Sequence, residues 1–83
     1  MGRRQATLRA IFAVPTRANV AWRDVESLLR SLGATLEEGA GSRVRVSLNG
    51  IDAVFHRPHP QPEASRAVIR SVRSFLINAG VTP

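Results

Sequence analysis

The stretch GSRVRVSLNGIDAVFHRPHPQPE, residues 41 to 63, decides the fold. Its first part alternates strictly, with Val44, Val46 and Leu48 on one side and Arg43, Arg45 and Ser47 on the other. Side chains on a strand alternate with a period of two, so residues 42–48 read as a strand with one apolar face. Asn49-Gly50 follows, a pair that accepts positive φ at both positions and closes a two-residue type I′ turn. IDAVFH, residues 51–56, returns as the second strand of a hairpin. The turn length fixes the register. Leu48 faces Ile51, Val46 faces Ala53 and Val44 faces Phe55, which gives an apolar inner face. On the outer face Ser47 meets Asp52, Arg45 meets Val54, and Arg43 meets His56. Opposed Cβ atoms lie roughly 4.5–5.5 Å apart, so Arg43 and His56 are expected as direct neighbours on the open face of the sheet.

Working outward, RPHPQPEAS (57–65) holds Pro58, Pro60 and Pro62 and reads as a loop. Pro62-Glu63 is expected to start a last helix running to about Asn78. Ala64, Val68, Val72, Phe75, Leu76 and Ala79 form its apolar stripe, Arg66, Arg70 and Arg73 a basic one, and Gly80 ends it. On the other side of the hairpin, ATLEE (34–38) is a predicted strand and GAG (39–41) a turn. Before it, Trp22, Val25, Leu28, Leu29 and Leu32 recur on one face of a helix. Asp24 and Glu26 suit its first turn and Gly33 its C-terminus. Residues 3–13 predict a short helix stopped before Pro15. The expected fold is α+β: helix, three-stranded antiparallel sheet, helix, with both helices on one face. A short N-terminal helical arm (1–18) precedes this domain (19–83).

A chain of 83 residues accommodates one small domain, and 43% hydrophobic residues are enough to give it a core. It has no cysteine, which excludes disulfides and thiolate metal sites. No apolar run approaches the roughly 20 residues that cross a bilayer. Arg9 interrupts the early apolar stretch, against a signal peptide, so a cytoplasmic protein is expected. All 12 basic residues are arginine, against 6 acidic ones, for a net charge of +6. An anionic partner follows, nucleic acid before an acidic protein or a membrane surface. With Trp22 in a helix stripe and only Phe otherwise, no set of stacking aromatics is present. Recognition by shape and phosphate is favoured over base readout.

Three short motifs, in this order, carry a resemblance: Gly41-Ser42 at the start of the second strand, Pro58-His59-Pro60 after the third, and Asn78-Ala79-Gly80-Val81 closing the last helix. Together with the α-β-β-β-α order, they are similar to the HicA toxins of bacterial type II toxin–antitoxin modules, over roughly residues 19 to 81. The resemblance implies a double-stranded-RNA-binding-domain-like fold. It also implies an mRNA interferase, that is, an endoribonuclease acting on mRNA, held inactive by a HicB-type antitoxin. In the family a histidine follows Gly-Ser; here the residue is Arg43. His59 matches the family's Pro-His-Pro loop by position.

Cleavage by the RNA 2′-hydroxyl needs a base, an acid and positive charge on the phosphate, and in principle no metal or other cofactor. His56 and His59 are the candidate acid–base groups, and Arg43 is a catalytic candidate as the clamp beside His56. Arg43, Arg45, Arg57, Arg66 and Arg70 are the candidate phosphate contacts. Two histidines with Asp52 as the only nearby carboxylate make a poor metal site. The alternatives are a non-catalytic RNA-binding relative and a domain that binds an acidic protein.

Overall fold

The computed structural model describes residues 2–58 and 61–83. In chain order the elements are α1 (Arg3–Ile11), β1 (Val20–Ala21), α2 (Trp22–Ser31), β2 (Thr35–Glu38), β3 (Arg43–Leu48), β4 (Ile51–His56), β5 (Glu63–Ala64) and α3 (Arg66–Asn78). The main sheet is antiparallel in the order β2-β3-β4. Its register is the one the turn dictates, from Leu48↔Ile51 to Arg43↔His56. Asn49 at φ 52° and Gly50 at φ 82° supply the left-handed turn. The Asn49 side chain also donates to Ala79 O at 2.8 Å, tying the hairpin tip to the end of α3.

One face of the sheet is core. Val44, Val46, Leu48 and Phe55 are buried with Val25, Leu28 and Leu29 of α2 and Ile69, Val72, Phe75 and Leu76 of α3. Phe55 is central. Its ring meets Trp22 edge-on at 6.0 Å and Phe75 edge-on at 5.8 Å between centroids, the arrangement that aromatic quadrupoles favour. Helix α2 ends at Leu32 and Gly33, the latter at φ 96°, as the sequence predicts.

Two elements depart from expectation. Helix α3 begins at Arg66, three residues after Glu63, because Ser65 caps it by accepting from Val68 N at 3.2 Å. Glu63 and Ala64 instead pair with Ala21 and Val20 as a two-residue ladder, and Trp22 N donates to Pro62 O at 2.9 Å. Ala64 is buried as expected, but from a strand. The N-terminal helix is also more than an appendage. Leu8 and Ile11 are buried in the common core, and Arg73 of α3 closes the end of α1. Its Nε donates to Ile11 O at 2.9 Å, and its Nη2 donates to Ala13 O at 3.2 Å and Thr16 Oγ1 at 3.0 Å. These carbonyls carry the negative end of the helix dipole, so a cation is well placed there. Arg73 thus leaves the solvated stripe that its spacing predicts.

Candidate nucleic-acid interface

The open face of the sheet carries Arg43, Arg45 and Ser47 of β3 opposite His56, Val54 and Asp52 of β4. Glu37 of β2 lies beside Arg45, and Thr35 beside Ser47. The Arg43 Nε donates to His56 Nε2 at 3.3 Å, and both residues are exposed. In this contact His56 Nε2 is the acceptor, which leaves Nδ1 as the ring nitrogen turned away from Arg43. Arg45 stands exposed two residues along the same face.

Arg57 lies one residue beyond β4, where the alternation turns its side chain to the opposite side. Its backbone N donates to Ser42 O at 2.9 Å, extending the ladder by one step. Its guanidinium is held by two carboxylates. Nε donates to Glu26 Oε2 at 2.6 Å, Nη2 donates to Glu38 Oε2 at 2.6 Å, and Nη1 binds Glu38 Oε1. Glu26 Oε2 also accepts from Trp22 Nε1 at 2.6 Å, and Arg30 approaches the other oxygen at 3.6 Å. The hydrogen bonds it donates to Glu38 and then to Glu26 push the Arg57 pKa above its already high ordinary value. In return, the Arg57 hydrogen bond holds Glu38 below the usual carboxylate range. Arg57 is therefore engaged as a staple between α2, β2 and the end of β4. Sequence reasoning assigned Glu26 to the start of a helix but not to this network. A Trp–Glu pair at i, i+4 on a predicted helix was the signal for it.

The other candidate arginines lie on α3. Arg70 borders an open groove of about 510 Å³ between β4 and α3, whereas the Arg66 Nε donates to Thr16 O at 3.2 Å. The five candidate phosphate contacts thus divide into an outer-sheet pair, a staple and a helix pair. His59 lies outside the described residues. Among the described residues, no group of three His, Cys, Asp or Glu side chains is placed to hold a metal ion. No helix among them is long and apolar enough to cross a membrane.

The family model described as the HicA toxin of bacterial toxin–antitoxin systems matches residues 22–81. The chain belongs to the HicA toxin family. Neither a curated protein nor a solved structure matches it. The HicA match begins at the first residue of α2 and takes in the sheet, β5 and α3, so α1 lies outside it although Leu8 and Ile11 are in the common core.

Proposed function

We propose that this HicA-family chain is an mRNA interferase that cleaves RNA through its own 2′-hydroxyl and is neutralised by a HicB-type antitoxin. The observation that carries the reading is the Arg43–His56 pair on the open face of the sheet, with Arg45 two residues along it. When a phosphodiester arrives, Arg43 turns its donors to the phosphate oxygens, the better acceptors. The lone pair on His56 Nε2 is then free to take the 2′-hydroxyl proton. The 2′-oxygen forms a bond to phosphorus as the bond to the 5′-oxygen breaks. The products are a 2′,3′-cyclic phosphate and a 5′-hydroxyl end. Arg43 and Arg45 offset the charge that builds on the phosphate. In this reading His59, three residues after His56, protonates the leaving 5′-oxygen. Arg66 and Arg70 contact phosphate or the antitoxin from the helix layer, while Arg57 stays with its carboxylates.

A second reading, an RNA-binding relative without cleavage, is favoured by one observation: Arg43 occupies the position at which the family resemblance expects histidine. Labelled RNA incubated with purified protein in EDTA separates the two. The interferase reading expects cleavage that falls roughly 10²–10⁴-fold in His56→Ala or His59→Ala. Circular dichroism establishes that each variant is folded. Intact RNA with folded wild type overturns the interferase reading in favour of the second. Cleavage that persists in both histidine variants removes the imidazoles from the mechanism.

A further inference from the structure

Strand β4 is an edge of the sheet, and the hairpin register shows which of its backbone groups are open. Leu48 and Ile51 flank the two-residue turn and exchange hydrogen bonds, and the pattern repeats at Val46–Ala53 and Val44–Phe55. The N–H and C=O groups of Asp52, Val54 and His56 therefore point away from β3, to the free side. Natural edges are commonly blunted by lysine, proline or a bulge; β4 has six regular residues and none of these. Val54, in its middle, is 55% exposed. The groove alongside is bordered on α3 by Ala67, Ser71, Ser74 and Asn78, whose modest side chains allow close approach, with Arg70 as the one long side chain on that border.

We propose that two copies of this chain pair antiparallel through β4, centred on Val54, so that one continuous sheet crosses the dimer. This register alone sets Val54 on Val54 and brings every open N–H opposite an open C=O. It also places Asp52 of each copy opposite His56 of the other. Acid thus meets imidazole twice, with Cβ atoms roughly 4.5–5.5 Å apart. On the interferase reading, the Asp52 carboxylate of the partner subunit accepts from His56 Nδ1–H while Nε2 faces Arg43. Asp52 is then a positioning residue that fixes the tautomer the base requires. The net charge of +6 on each copy opposes association, so added salt strengthens pairing, the reverse of its effect on RNA binding.

Sedimentation across a concentration series, at low and moderate salt, tests the pairing without reference to cleavage. Because the chain has no cysteine, V54C gives a single cross-linking site, with V14C, at the more exposed Val14, as the comparison. The expected result is a salt-favoured dimer and covalent linkage in V54C far ahead of V14C. D52H or H56D alone weakens the dimer about fivefold or more, and D52H/H56D, which restores the complementary pair, recovers it. A monomer throughout, or V54C no faster than V14C, overturns the proposal. For the positioning role, D52N lowers kcat with KM unchanged, and mixing D52N with H56A regains activity that neither has alone. A dimer without cleavage leaves the pairing standing and removes the interferase reading; cleavage by a strict monomer does the opposite.

Discussion

Arg43 and Arg57 sit at the open end of one hairpin, on adjacent rungs of the same ladder, yet they live in different chemistry. Arg43 pairs with His56 on the open face, and its contact is one exposed hydrogen bond of 3.3 Å. Arg57, one rung further, faces the other way into Glu26 and Glu38. A displacement of one residue reverses the face of a strand, and the face decides whether a guanidinium is available to a ligand or spent on the fold. Arginine content thus measures the charge of this molecule and not the number of guanidinium groups open to a ligand.

The strongest way to break this contrast is Glu26→Ala. It removes the carboxylate shared by Trp22 Nε1 and Arg57 Nε and leaves an indole N–H in the core without a partner. The expected loss is about 2–3 kcal/mol in urea unfolding, with RNA binding by folded protein intact. Arg73→Ala comes next. It strips three hydrogen bonds from the end of α1 and its following turn, and about 1–2 kcal/mol of stability is expected to go with them. Hydrogen exchange at the α1 amides then rises ahead of exchange in the sheet.

A titration sharpens the comparison further. Arg57 lowers the Glu38 pKa, so the stabilisation from that pair is fully present above the ordinary carboxylate range and is lost as pH falls through the depressed folded-state value. Urea midpoints followed from neutral pH into acid are expected to fall, and to fall less steeply in Glu38→Gln. A Glu38→Gln curve parallel to wild type at every pH would falsify the staple. The smallest structural effect is expected on the other face of the hairpin. Arg43→Ala changes stability by no more than about 0.5 kcal/mol, because its partner is exposed and its stem covers no core. The same variant is expected to weaken RNA binding and flatten its salt dependence by about one phosphate contact. A large loss of stability in Arg43→Ala would merge the two regions into one and remove the contrast.

The sequence alone determined the hairpin, its register and the Arg43–His56 pair. Strict alternation and a two-residue turn leave a single pairing that keeps Val44, Val46, Leu48 and Phe55 on one face. Helix α2 and its glycine end were legible for the same reason, since a local period and a local stop specify a local structure. What only the tertiary structure decided are the contacts that join residues far apart in the chain. The spacing of Arg66, Arg70 and Arg73 marks a stripe on α3 but does not reveal that Arg73 caps α1 across 62 residues. The first turn of α2 marks Glu26 as an acid near a helix N-terminus, while its burial comes from Arg57, 31 residues away, folding back over it. Glu63 and Ala64 were drawn out of the helix by pairing with Ala21 and Val20, a ladder too short to leave a period in the sequence. Periodicity records which face of an element is buried. The partner that buries it is set by how the elements pack, and with that the fate of each arginine.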